Sequence, residues 1–167
     1  MKNLRLEIGE PMKKLKGKDA IVNPQNQYMT KGSGWCNEIY TKAGETLLTN
    51  FCQELFPNGM EPRDVKVTPG FKLEIDIIHV YPPKFHFAQD PIEELRQTYQ
   101  NLFATINEKN YQNILMPSLG IGVHGYNHQD VAEMLMTELK KFLTDKKITI
   151  TLVLANRDIK KIYQKYL

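Results

Sequence analysis

Two segments carry the residue types best suited to chemistry. The first reads Asp19-Ala20-Ile21-Val22-Asn23-Pro24-Gln25-Asn26 and continues to Lys31-Gly32-Ser33-Gly34-Trp35. A short apolar run ends in Asn23 and Asn26. An amide side chain both donates and accepts, so such a pair suits sugar hydroxyls. Gly32, Ser33 and Gly34 then lead into a helix expected to start at Trp35. Glycine permits close backbone approach, and a helix start offers unpaired N–H groups to an anion. Read alone, this segment is equally an Asn-capped turn followed by a flexible hairpin.

The second segment reads Pro117-Ser118-Leu119-Gly120-Ile121-Gly122-Val123-His124-Gly125-Tyr126. It joins a short apolar run to a helix expected near His128. Its glycines can turn successive backbone N–H groups toward one point and so form a nest for an anion. It is not a P-loop, because no Gly-Lys-Ser/Thr follows. It is not the dinucleotide fingerprint either, because the glycine spacing differs and the loop does not follow the first strand. A plain tight connection is the competing reading.

Other chemistries find little support. Cys36 and Cys52, and His79, His86, His124 and His128, lack metal-site spacing, so no metal and no cofactor is expected. The two cysteines read as free thiols in a reducing compartment. Net charge is +3, from 22 Lys+Arg and 19 Asp+Glu. That excess permits an anionic ligand but does not make a nucleic-acid platform, which shows a strong basic stripe. Lys13, Lys14, Lys16 and Lys18 read as a solvated turn. No run approaches the roughly 20 apolar residues of a membrane span, and the N-terminus lacks the apolar stretch of a secretory leader. The cytoplasm is therefore the expected location, with no membrane partner.

The elements that must position these loops alternate between strand and helix, which argues for an α/β layered fold in one domain, residues 1–167. Leu4–Ile8 alternates with period two, and Ala20–Val22 reads as a strand buried on both faces. Val65–Val67, Ile75–Val80, Ile114–Met116 and Ile148–Leu154 complete the strands. Leu47, Leu48, Phe51, Cys52 and Leu55 have helical spacing, closed by Pro57-Asn58-Gly59. Asp90 is placed to cap a helix with Pro91 in its first turn and an apolar stripe from Ile92 to Ile106. A further helix follows Asn127, with Val131, Met134, Leu135, Leu139 and Phe142 inward. Arg157–Tyr166 reads as a short terminal helix. In such folds ligands sit at the carboxyl ends of the strands, where both loops fall.

Together the two loops are far more specific than either alone. Asp19-Ala20-Ile21-Val22-Asn23-x-x-Asn26 followed by Gly32-x-Gly34 resembles the first signature of macro domains. Pro117 to Tyr126 resembles the second, and Val67–Leu73 and Ile78-His79 resemble the strands between. The resemblance covers nearly the whole chain. It implies a three-layer α/β/α fold with a central mixed sheet that binds ADP-ribose across the top of the sheet. Some members read ADP-ribosylated targets, and others hydrolyse ADP-ribose from proteins or small molecules.

By position, the resemblance gives the diphosphate to Gly122, Val123, His124 and neighbouring amides from Ser118, Gly120 and Ile121. It gives the distal ribose and nearby phosphate to Gly32, Ser33 and Gly34. Asn26 would bond the distal ribose and is the candidate catalytic residue. His124 stands where an aromatic usually covers the ribose. Asn23, Trp35, Tyr126, Glu10 and Asn156 complete the expected ligand contacts. His79, inside a strand, is expected to be a satisfied core residue.

Three departures from the family pattern stand out. Gly9-Glu10-Pro11-Met12 replaces Gly-Asp-Ile, so Glu10 can accept from an adenine amino group but Pro11 has no N–H to donate. Leu154-Ala155-Asn156 puts an alanine where many members stack an aromatic on adenine. Gly34-Trp35-Cys36-Asn37 replaces Gly-Val-Asp-Gly of one hydrolase branch, leaving that branch's acid/base role unfilled. Cys36 reads as a small, partly buried residue, and Trp35 as a lid over the ribose or as core. In a hydrolytic form Asn26 would position the ribose, and the diphosphate loops would strain it toward an oxocarbenium-like state for attack by water at C1″. Asn26→Ala is expected to affect turnover more than folding. The alternatives are a non-catalytic reader of ADP-ribosylated partners and a binder of another nucleotide or phosphoribose. A nucleic-acid module, suggested only by net charge, ranks last.

Overall fold

Residues 1–167 are all described by the computed structural model. The elements run β1 (Leu4–Ile8), β2 (Ala20–Pro24), α1 (Gly34–Ala43), α2 (Glu45–Leu55), β3 (Val65–Thr68), β4 (Asp76–Val80), α3 (Pro91–Glu108), β5 (Asn113–Pro117), α4 (His128–Leu143), β6 (Thr149–Leu154) and α5 (Arg157–Gln164). They build a six-stranded sheet in the order β1-β6-β5-β2-β4-β3. Every pair is parallel except β3–β4, so the sheet is mixed.

Strand periodicity divides the core into two halves. Ala20, Val22, Ile78, Val80, Ile114, Met116, Ile150 and Leu152 point to one face, where they pack with Leu95, Leu102, Val131, Leu135, Leu139 and Tyr163 from α3, α4 and α5. Ile21, Ile77, Leu115 and Val153 point to the other, against Ile39, Tyr40, Leu48 and Cys52 from α1 and α2. Helices thus cover both faces, which explains why the central strands are apolar on both sides rather than alternating. The result is the expected three-layer α/β/α sandwich. No helix is long and apolar enough to cross a membrane.

Some local expectations need correction. The stripe on α2 is narrower than its spacing suggests: Leu48 and Cys52 are buried, but Leu47 and Leu55 are exposed. Phe51 instead meets the Phe71 ring edge-on. Asp90 makes no side-chain cap on α3; its backbone N–H donates to Glu94 Oε2 at 2.9 Å, so the helix start is closed from inside. Asn127 does cap α4, its Oδ1 accepting from the Asp130 N–H at 2.9 Å. Gly44, with φ +103, breaks the helical run into α1 and α2.

The sheet itself opens the site. β2 and β5 pair only through Ala20–Ile114 and Ile21–Leu115. Beyond that point β2 stays with β4 as far as Pro24, while β5 stays with β6 as far as Pro117. From β2 the chain leaves toward β3 and β4, through α1 on one face. From β5 it leaves toward β6, through α4 on the other face. This is the switch point at which an open α/β sheet forms its ligand crevice.

Candidate functional site

The β2–α1 and β5–α4 loops face each other across this opening and enclose a two-part cleft. One compartment, of about 410 Å³, is lined by Pro24, Gln25, Asn26, Gly32, Ser33, Trp35, Cys36 and the run from Pro117 to His124. The other, of about 220 Å³, is lined mainly by apolar groups, among them Pro11, Ile121, Val153, Leu154, Ala155 and Ile159. Trp35, Pro117, Ser118 and Ile121 line both, so the two adjoin. Together they suit a ligand of nucleotide size.

Trp35 stands at the junction. Its indole N–H donates to the Val22 carbonyl at 2.7 Å. That carbonyl lies just beyond the last β2–β5 pair, so the separation of the strands frees the acceptor that fixes the ring. Trp35 is therefore a held partition between the compartments rather than a swinging lid.

Backbone conformation in the second loop suits an anion. Gly120, Gly122 and Gly125 have φ of +87, +79 and +90. Gly122 lines the polar compartment, and a side chain there would meet nothing within 4 Å. Gly122–His124 forms one turn of 3-10 helix, and Val123 is 86% exposed. The loop is braced from below: the Leu119 N–H donates to the Tyr99 hydroxyl at 2.6 Å, and Ser118 Oγ bonds the Tyr163 hydroxyl. From the other side Ser33 makes no side-chain cap on α1, so the first-turn N–H groups stay available and the positive end of the helix dipole points toward the same space. Gly34 opens α1 with φ +54.

Gly120 is fixed by packing as well as by φ. A Cβ there would lie 2.9 Å from Tyr126 Cδ2 and 3.1 Å from Leu95 Cδ2. Gly120→Ala is expected to cost roughly 1–3 kcal/mol through overpacking, and about 1–2 kcal/mol more through its left-handed backbone. Urea unfolding checks this. A loss under about 0.5 kcal/mol, that of an ordinary surface change, would show that the loop is not braced by Tyr126.

Four of the expected ligand contacts do not line the cleft. Asn23 is fully buried: its Nδ2 lies 3.1 Å from His79 Nδ1, and its Oδ1 has no partner. Strand alternation turns it, like Ile21, under α1. Tyr126 is buried against Gly120 and Phe85, with its hydroxyl donating to the Pro91 carbonyl at 3.0 Å. Asn156 is exposed and caps α5, accepting from the Ile159 N–H at 3.0 Å. Glu10 is exposed and paired with Lys13 at 3.1 Å, while the adjacent Pro11 turns inward to the apolar compartment.

Asn26 does line the polar compartment, but most of its amide's hydrogen bonds stay within its own loop, leaving one Nδ2 hydrogen unpaired. Nδ2 donates to the Thr30 carbonyl at 2.7 Å, and Oδ1 accepts from the N–H groups of Tyr28 and Thr30 at 3.0 and 3.3 Å. It is the organiser of the 26–30 turn as well as part of the wall.

Sequence reading passed over Gln25, which joins the cleft to the core. Its Oε1 accepts from the Asn26 N–H at 2.9 Å, and its Nε2 donates to the Tyr40 hydroxyl at 2.8 Å and to His79 Nδ1 at 3.0 Å. Its place just past the end of β2, two residues beyond Asn23 in the strand alternation, was the available signal. His79 Nδ1 also accepts from Asn23, so its proton resides on Nε2, which donates to Thr68 Oγ1 at 2.9 Å. As expected from its strand position, His79 is a satisfied core residue.

Burial controls ionisation throughout the site. It pushes the Cys36 thiol above its ordinary range, against the backbone of Gly32 and the amide of Asn23. It also lowers His124, with help from Lys84. At neutral pH both groups are therefore uncharged, and the polar compartment contains no carboxylate side chain.

Burial holds His79 down to about 3, from 6.5. The unfolded chain then binds a proton that the folded chain refuses. Stability from this group is complete above pH 6.5 and falls as pH drops toward 3. Between pH 7 and pH 5 it should decline by about 2 kcal/mol. Unfolding free energies measured at the two values check it, and equal values would mean that the buried network takes up the proton.

The family model for the Macro domain matches residues 22–135. A macro domain-containing protein of Chlorobaculum tepidum is 30% identical over 154 residues, spanning 89% of this chain and 87% of that protein. The ADP-ribose glycohydrolase MACROD2 of Xenopus laevis is 30% identical over 128 residues, or 75% of this chain, which spans only 30% of that protein's length. Among solved structures, a mutant Oceanobacillus iheyensis macrodomain with ADPR superposes with a TM-score of 0.86 at 27% identity, covering 98% of this chain and 90% of the other.

Proposed function

Because the chain belongs to the macro domain family, we propose that its cleft binds ADP-ribose, with residues 1–167 acting as a single macro domain. The observation that carries this reading is the match between the cleft's two compartments, with the glycine turn beside them, and the parts of the ligand. An apolar slot suits a base. The Gly120–His124 turn, facing the start of α1, suits a diphosphate. The polar compartment by Asn26, Gly32 and Ser33 suits a ribose.

The biological ligand in this reading is ADP-ribose free or attached to a protein. Its place of action is the cytoplasm, on the ground that Cys36 and Cys52 are free thiols. Recognition without cleavage is favoured by the absence of a carboxylate around the polar compartment and by the neutral Cys36 thiol. A second reading, hydrolysis of the bond at C1″, is supported by the similarity to a protein named as an ADP-ribose glycohydrolase. In that form catalysis rests on holding the ribose and a water in place, for which positioning supplies most of the gain.

One assay separates the two. The chain is incubated with ADP-ribosylated protein, and retained complex and released ADP-ribose are measured together. Retention without release establishes a reader, and release with turnover establishes a hydrolase. Neither retention nor release, with free ADP-ribose also ignored, would overturn the proposal.

A further inference from the structure

The turn that faces the start of α1 has little backbone structure of its own to hold it. Within it the Gly125 N–H donates to the Gly122 carbonyl at 3.0 Å, and the Tyr126 N–H to the Gly120 carbonyl at 3.1 Å. The N–H groups of Ile121, Gly122, Val123 and His124 find no acceptor in the protein. A run of unpaired donors attracts an anion, but it also leaves the chain free to take any conformation that water solvates equally well. Something outside the turn must select one conformation.

Tyrosine hydroxyls do this from below. Tyr99 of α3 and Tyr163 of α5 are fully buried in the apolar core. Phenylalanine would fill the same space, and a buried hydroxyl costs free energy unless it is bonded. Both hydroxyls are bonded, and both to residues that enter the turn. Tyr99 accepts from the Leu119 N–H at 2.6 Å, and Tyr163 is paired with the Ser118 hydroxyl. Burial pushes both phenols up, so each keeps its proton. At the far end the Tyr126 hydroxyl donates to the Pro91 carbonyl at 3.0 Å. The turn is thus pinned where it begins and where it ends.

We propose that Tyr99 and Tyr163 are positioning residues for anion binding, holding Leu119 and Ser118 so that the free N–H groups beyond them converge. The inference rests on the ADP-ribose reading given above. Neither tyrosine lines the cleft. Without the Tyr99 hydroxyl the Leu119 N–H is buried and unpaired, and the empty protein escapes that cost by moving the turn. The ligand must then bring the turn back, so its apparent affinity falls with the fraction of chains still in the competent conformation.

The test is calorimetric titration of wild type, Tyr99→Phe, Tyr163→Phe and Tyr111→Phe with ADP-ribose, beside urea unfolding of each. Tyr111→Phe is the control: its hydroxyl donates to Asp76 Oδ2 at 2.6 Å, at the first residue of β4 and so at the opposite end of the sheet from the cleft. Tyr99→Phe is expected to weaken binding by about tenfold. Tyr163→Phe should weaken it by about threefold, because half-exposed Ser118 can turn to water instead. Tyr111→Phe should lose stability and keep wild-type affinity.

Stability lost with wild-type affinity kept in both Tyr99→Phe and Tyr163→Phe would make the two hydroxyls ordinary core bonds and overturn the inference. So would equal weakening by Tyr111→Phe, since any loss of core stability would then reach the turn. Wild type that ignores ADP-ribose would overturn the proposed function, and this inference with it. Melting curves identify which variants are folded, and either tyrosine carries the test should the other variant not fold.

Discussion

Gly122→Glu is expected to abolish high-affinity binding of ADP-ribose. Gly122 lines the polar compartment with φ +79, and nothing stands within 4 Å of where its Cβ would be, so a new side chain enters open space at the mouth of the cleft. Its carboxylate would lie where the turn collects N–H groups for the diphosphate, and would both occupy that space and repel the ligand's charge. The loss should be well beyond tenfold, or about 1.4 kcal/mol. The positive φ adds about 1–2 kcal/mol of strain, but in a surface turn supported from below by Leu119 and Tyr99. The variant should therefore remain folded, which a melting curve verifies. Unchanged affinity in folded protein would place the anion elsewhere.

Asn26→Ala is expected to fail in two ways at once. Its amide organises the 26–30 turn through Thr30 and Tyr28, so removing it leaves backbone groups unpaired. Each net hydrogen bond is worth about 0.5–1.5 kcal/mol, so the three together give a loss of roughly 1.5–4.5 kcal/mol. From the sequence, folding was expected to be nearly indifferent to this change; the hydrogen bonds reverse that expectation. The ribose wall shifts with the turn. In the hydrolytic reading, turnover should also fall by ~10²-fold, since misplacement of about 1 Å is that costly. Urea titration and initial rates measure the two effects separately. Unaltered stability would show that water replaces the amide, and unaltered turnover would remove Asn26 from the site.

The layered fold was legible because its signals are local and periodic. Continuous apolar runs such as Ala20–Val22 mark strands buried on both faces, and the two glycine loops fall at their carboxyl ends. The part of the site built from backbone was legible for the same reason, since the glycines at 120 and 122 report conformation directly. What escaped depends on direction and competition. Asn23 and Asn26 look alike in sequence, yet strand alternation buries Asn23 beside His79, while Asn26 is held by its own loop. Asn156 offered a ligand the same chemistry that it offers the start of α5, and the helix takes it. Tyr126 fills space over Gly120 that no local pattern reveals.

The measurement closest to the central claim is calorimetric titration of the whole chain with ADP-ribose, paired with free ribose 5-phosphate. The account expects one site per chain. It also expects ADP-ribose to bind at least tenfold more tightly than the fragment, because only the full ligand spans both compartments. No heat and no thermal stabilisation with ADP-ribose, or equal affinity for the two compounds, would contradict it.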